Sequence, residues 1–151
     1  AITEIEGTTK KQVRKTVQRL VSEAILSEDT DIDVAKELGE VFENLSEGRA
    51  RTIARTEINA ASNSATTEAV RSLEVPGMVK VWVTNEDARV RDGGADGNGP
   101  NHAVMNGAEV GLDEKFTVPP DQDMDGPGDP SADPSQICNC RCTLIYKVRN
   151  K

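Results

Sequence analysis

The chain has 151 residues, of which 36% are hydrophobic and 29% charged, enough for one domain with a modest core and a helical appendage. Its net charge of −8 excludes a surface that is one continuous nucleic-acid footprint, because such a footprint needs a basic face. No apolar run approaches the roughly 20 residues that span a bilayer, so a transmembrane helix is excluded and no membrane partner is expected.

Aromatic residues make up only 3% of the chain: Phe42, Trp82, Phe116 and Tyr146. A core built mainly from Val, Ile, Leu and Ala gains less burial per residue, so stability is expected to draw on a partner. The chain starts at Ala1 without Met and shows no signal-peptide pattern, which predicts a processed or excised piece of a longer protein.

The first half reads as helix. Val13, Val17, Leu20, Val21, Ala24 and Ile25 recur at helical spacing between Thr9 and Ser27, with Thr8 or Thr9 as the cap. Lys10, Lys11, Arg14, Lys15 and Arg19 form a basic stripe on one flank, with no acid among them. A second helix is predicted from Asp31 to Leu45, with Ile32, Ala35, Leu38, Phe42 and Leu45 on its apolar face and Asp29, Thr30 and Asp31 as capping groups. A third is predicted from Glu47 to Leu73. Its small-residue face runs through Ile53, Ala54, Ile58, Ala61, Ala65, Ala69, Val70 and Leu73, and Pro76-Gly77 ends it.

Strand character follows. Met78 to Thr84 alternates with valines on one face. Asp92 to Pro100 is rich in Gly, Asp and Asn and reads as loop. Asn101 to Met105 fits one helical turn, and Lys115 to Val118 a short strand. Pro119 to Ser135 holds five prolines and five aspartates with no basic residue, predicting an extended, solvated loop. Cys142 to Val148 is the final strand. Helices first and a few strands after them give an α+β fold with a small antiparallel sheet and long loops.

All three cysteines lie within five residues, Cys138, Cys140 and Cys142. An odd, clustered count argues against a disulfide scaffold. The Cys-x-Cys spacing sets two thiols on one side of an extended chain. Zinc would take four ligands, so Cys140 and Cys142 would be joined by His102, the single histidine, and by Asp87 or Cys138. Two other readings stay open. The thiols can act as small core residues, or His102, Asp87 and Cys140 can form a nucleophilic site.

Arg89 and Arg91 could clamp an oxyanion, but ion pairing with Glu86 or Asp87 is the simpler expectation. Asp121 to Gly126 resembles half of an EF-hand loop. The twelfth position is Ala132 where a bidentate Glu is needed, so an acidic surface loop is expected. The basic stripe is opposite in sign to the whole chain, which marks it for DNA phosphates or an acidic protein groove.

Arg49 to Glu57, Lys80 to Arg91, His102, Asn106-Gly107, Asp113 to Phe116, Gly128 to Pro130 and Asn139-Cys-Arg-Cys142 occur in that order. Together they resemble the phage Mu F-like minor head proteins, also called phage head morphogenesis proteins, over about residues 47 to 146. The family's shared positions fall on Arg55, Thr56, Glu57, Trp82, Asp87, Arg89, His102, Gly107, Phe116, Asn139, Cys140 and Cys142. There are two departures. Asp92 to Pro100 looks like an insertion before His102, and Cys138 is extra to the usual ending.

The resemblance implies a tailed-phage or prophage virion component, in the capsid interior or at the portal vertex, present in the host cytoplasm during assembly. Its partners would be the portal protein, capsid components and packaged DNA. No catalytic activity follows from it. The resulting expectation is a helical docking region over 1–47 and an α+β core over 48–151. In that core, Thr56 and Glu57 tie the long helix to Arg89 and Arg91. The rival classes are a nuclease-like or thiol-dependent enzyme using His102, Asp87 and Cys140, and a DNA-binding module using the basic stripe.

Overall fold

The computed structural model describes residues 10–27, 31–42 and 46–149. The expected caps at Thr8, Thr9, Asp29 and Thr30, and the apolar Leu45, lie outside the described residues. By contacts the chain divides into Ala1–Ile58 and Asn59–Lys151.

The first unit contains helix α1 (Lys10–Ser27), helix α2 (Asp31–Val41) and the beginning of helix α3 (Glu47–Ser72). Its core follows from helical periodicity. Val17, Leu20 and Val21 of α1 are buried, as are Val34, Ala35 and Leu38 of α2 with Phe42 just beyond it. Ser46 caps α3. Its hydroxyl accepts the Arg49 N–H at 3.4 Å and its carbonyl accepts the Ala50 N–H at 2.9 Å. Ala50, Ile53 and Ala54 are buried, and the Thr56 hydroxyl donates to the Thr52 carbonyl at 2.7 Å.

In the second unit, strand β1 (Met78–Val83) is central. It pairs antiparallel with β2 (Glu109–Gly111) and β5 (Thr143–Val148) in the order β2-β1-β5, setting Trp82 opposite Leu144 and Lys80 opposite Tyr146. Strands β3 (Phe116–Val118) and β4 (Gln122–Met124) form a separate two-stranded ribbon. The architecture is α+β with small antiparallel sheets.

Strand β1 departs from simple one-faced alternation, because Val79, Lys80, Val81 and Trp82 are all buried. The Trp82 side of the strand is covered by the ribbon. The Phe116 ring meets the Trp82 indole edge-on at 5.4 Å between centroids and lies 5.6 Å below the Lys80 ammonium. The Lys80 Nζ donates to the Asp125 carbonyl at 2.7 Å.

Two expectations are corrected here. Pro119 to Ser135 is not a solvated loop. It contains β4 and the start of the four-residue helix α4 (Pro134–Ile137), and Met124, Pro127, Asp129 and Ala132 are buried. Short local bonds replace solvent along this segment: Asp129 accepts the N–H groups of Asp125 and Ser131, each at 2.8 Å. The helix α3 face is also different. Ala65, Ala69 and Leu73 are exposed, whereas Asn63 is buried and Thr67 half-buried. Polar residues four apart face the sheet because they have partners there. Asn63 bonds to the Pro127 and Cys142 carbonyls, and Thr67 to the Tyr146 hydroxyl at 2.7 Å.

Candidate functional site

Three short segments build the site. The first is the end of the loop that begins at Asp92. Its base is pinched by a bridge between Asp92 and Asn101, and the Gly93 and Gly99 N–H groups bond inward to the Pro100 and Gly93 carbonyls. A side chain at Gly99 would stand 2.9 Å from the Gly93 carbonyl oxygen, so the pinch needs glycine there. The Arg91 carbonyl accepts the N–H groups of both His102 and Ala103, at 2.8 and 2.9 Å. The apparent insertion therefore loops out and returns His102 beside Arg91.

The second segment is α4. Asp133 caps it by accepting the Ser135 N–H at 2.8 Å, and the turn carries the buried Gln136. The third is Asn139-Cys-Arg-Cys142. Asn139 takes a left-handed conformation, φ 57°, which asparagine tolerates better than most residues. That turn feeds Cys140 and Cys142 into the entry of β5, and both thiols reach His102.

The central group is buried: His102 is 1% exposed, Cys140 2% and Cys142 3%. Each donates one ligand-type atom, and these atoms lie within 4.8 Å of one another. The His102 Nδ1 stands 3.6 Å from the Cys140 Sγ and 3.7 Å from the Cys142 Sγ. Its Nε2 is 2.9 Å from the Gln136 Oε1.

The tautomer follows from the next bond out. The Gln136 Nε2 donates to the Pro119 carbonyl at 2.8 Å, which turns its Oε1 toward the imidazole. An amide oxygen only accepts, so the His102 Nε2 carries the hydrogen. In the neutral ring the Nδ1 lone pair then faces both sulfurs. The Trp82 ring packs edge-on against the imidazole at 5.2 Å, and its buried indole N–H has no hydrogen-bond partner of good geometry among the described residues.

The two thiols are coupled. The hydrogen bond with Cys142 holds the Cys140 thiol well below its ordinary value, against the cost of burial. The same bond and burial push Cys142 upward, while the Trp82 indole and Arg91 favour its thiolate. All three cysteines are free of disulfides.

Asp87 stands apart from this group. It accepts from the Arg141 guanidinium at 2.6 Å and from Arg89, first through its backbone N–H at 3.0 Å and then through its side chain at 3.5 Å. The Arg91 guanidinium donates to the Cys138 carbonyl. These partners of Arg89 and Arg91 all lie within the second unit. Among the described residues the ligand-type cluster is His102, Cys140 and Cys142; neither Asp87 nor Cys138 joins it.

The remaining positions have structural explanations. Gly107 takes φ 80° in the turn before β2, and its N–H bonds to the Trp82 carbonyl at 2.8 Å. Phe116 is a core residue against Trp82. Arg55, Thr56 and Glu57 lie on α3 in the first unit. Of the basic stripe, Lys15 is exposed and Arg19 pairs with Glu23 at 2.6 Å. The side chains of Lys10, Lys11 and Arg14 fall outside the described residues.

Sequence reasoning missed Gln136, Arg141 and Asn63. Gln136 gives no signal in a Pro- and Asp-rich stretch. Arg141 was visible as the x of Cys-x-Cys, and Asn63 as an amide in an alanine-rich helix.

No helix among the described residues is long and apolar enough to cross a membrane. A family model described as Phage Mu protein F like protein matches residues 6–145. A protein of Bacillus subtilis (strain 168) designated Uncharacterized protein YqbB is 33% identical over 106 residues, covering 68% of this chain and 32% of that protein. The chain thus spans about a third of that relative's length. No solved structure matches. Matched over residues 6–145, the chain belongs to the phage Mu protein F like family.

Proposed function

We propose that this chain acts in head assembly as a minor head protein at the portal vertex. The helical region over 1–47 docks on the portal protein, and the α+β core over 48–151 serves as scaffold without turnover. The observation that carries this reading is the closure of the histidine–cysteine cluster. The imidazole is 1% exposed, and the indentation beside it encloses about 10 Å³. A substrate site needs several hundred Å³ of accessible cleft. The first unit suits docking, since it leaves Leu26 and Val41 in solvent at 86% and 48% exposure.

The enzyme reading draws on one observation, the hydrogen-bonded order Cys140, His102, Gln136. That order has the logic of nucleophile, base and orienting group. Burial of the thiol opposes it. Handling of packaged DNA would use the basic flank of α1, on which Lys15 is exposed.

Co-expression with the portal protein of the same phage tests the proposal. The full chain is expected to co-purify with the portal ring, and a chain starting at residue 48 is expected to lose the association. Absence of co-purification by the full chain, or hydrolysis that disappears in Cys140→Ser, would overturn it. DNA binding through the stripe predicts affinity that falls steeply with salt. A full chain that passes unretained through heparin resin at low salt would remove DNA from the proposal.

A further inference from the structure

We propose that His102, Cys140 and Cys142 bind one thiophilic divalent cation, zinc by preference, through the imidazole Nδ1 and two thiolates. This stands independently of docking on a portal. The argument begins with distances. Zinc sits about 2.3 Å from thiolate sulfur and about 2.05 Å from imidazole nitrogen, so tetrahedral angles place a ligating nitrogen about 3.6 Å from each ligating sulfur. The observed separations are 3.6 and 3.7 Å, and the three ligand atoms lie within 4.8 Å of one another. An ion can enter this triangle with little movement of its corners.

The imidazole is already prepared. Gln136 holds the hydrogen on Nε2, and Pro119 in turn holds Gln136, so the lone pair of Nδ1 points at the sulfurs. Ligating histidines are oriented in this way by a hydrogen-bond partner on the far nitrogen. The buried Trp82 N–H, which has no other partner, is available to a thiolate sulfur.

Charge and space agree with an ion. Two thiolates and one divalent cation sum to zero, which suits a site with ligands 1–3% exposed. Each thiol that coordinates releases its proton to solvent. The indentation of about 10 Å³ touches all three ligands and is lined also by Asn85, Arg91 and Asn139. It has room for about one water and none for an organic substrate. With no fourth ligand-type side chain in the cluster among the described residues, water completes the tetrahedron. The ion would tie the pinched loop at His102 to the entry of β5, closing a span of 40 residues.

Cobalt(II) titration of the full chain, stripped of metal by a chelator and kept reduced, tests this. The expected result is one equivalent bound, a thiolate-to-cobalt charge-transfer band in the near ultraviolet, intense visible bands of tetrahedral cobalt, and displacement of all of these by one equivalent of zinc. Cys140→Ser and Cys142→Ser should each weaken the charge-transfer band. Gln136→Leu keeps every ligand and should lower affinity by about 10- to 100-fold. Zinc should also slow alkylation of Cys140 by iodoacetamide. Wild-type protein that is folded by circular dichroism yet shows no charge-transfer band would overturn the proposal without any variant. So would equally fast alkylation with and without zinc.

Discussion

The side-chain oxygen of Asn63 accepts the backbone N–H of Leu144 at 3.2 Å, linking helix α3 to a strand 81 residues later. The same oxygen accepts from the Thr143 hydroxyl at 3.2 Å, and the amide nitrogen donates to the Pro127 and Cys142 carbonyls at 3.0 and 3.3 Å. Each hydrogen-bonding atom of this buried side chain is used twice. Asn63→Ala leaves those backbone groups without partners and is expected to cost about 1–3 kcal/mol. Asn63→Asp should cost more, because it turns an acceptor toward two carbonyls. Urea unfolding followed through Trp82, the chain's single tryptophan and fully buried in the second unit, reads both.

Gly128 and Gly126 are expected to differ under the same substitution. Gly128 has φ 83°, and an added Cβ would stand 2.8 Å from the Ala60 Cα, a backbone atom that cannot turn aside. At Gly126 the Cβ would stand 2.8 Å from the Leu144 Cδ1, the end of a flexible side chain. Gly128→Ala should destabilise by about 1–3 kcal/mol and Gly126→Ala by less. The order of their urea midpoints checks this.

Asp87 predicts part of the acid response. The Arg141 guanidinium, then the Arg89 N–H, hold its carboxyl down at about 2. An unfolded aspartate titrates near 3.9. The folded state therefore holds this proton less tightly, and the stabilisation is complete above about pH 4 and lost as pH falls through about 2. Asp87→Asn should be less stable than wild type at neutral pH, and the gap should close over that window. Stability curves from pH 6 to pH 2 test it.

Lys80 works in the opposite pH range. Burial lowers its pKa, and the Asp125 charge only partly offsets this. The unfolded lysine keeps its proton to about 10.4, so unfolding takes up a proton as pH climbs toward that value. This residue's contribution to stability should then rise with pH. Lys80→Met keeps the aliphatic stem over Phe116 and removes the titration. Between pH 7 and pH 10 wild type should gain stability relative to this variant. Equal pH slopes would contradict the assignment.

The elements were readable where one periodicity dominated. Helix α1 follows from Val17, Leu20 and Val21, and α3 ends near the predicted Pro76-Gly77 stop because proline and glycine act through their own backbones. The Pro119–Ser135 segment was misread as solvated because its composition is that of a loop. Its burial comes from bonds such as those to Asp129, whose partners follow no period.

The site divides along the same line. Local spacing alone put Cys140 and Cys142 on one side of the chain. Gln136 as the partner of His102, and Arg141 as the partner of Asp87, depend on segments 34 and 54 residues apart.

By itself the sequence determined helices α1 to α3, strands β1, β3 and β5, and the cysteine spacing, which are set by neighbours within a few residues, and the ordered blocks that carry the family likeness. Only the tertiary structure decided that an apparent insertion folds out at Asp92 and Asn101 and sets the imidazole against both thiols. It also chose the nitrogen that faces the sulfurs, through Gln136 and Pro119. Long-range hydrogen bonds made that choice, and a bond between distant residues leaves no period in a chain for a reader to find.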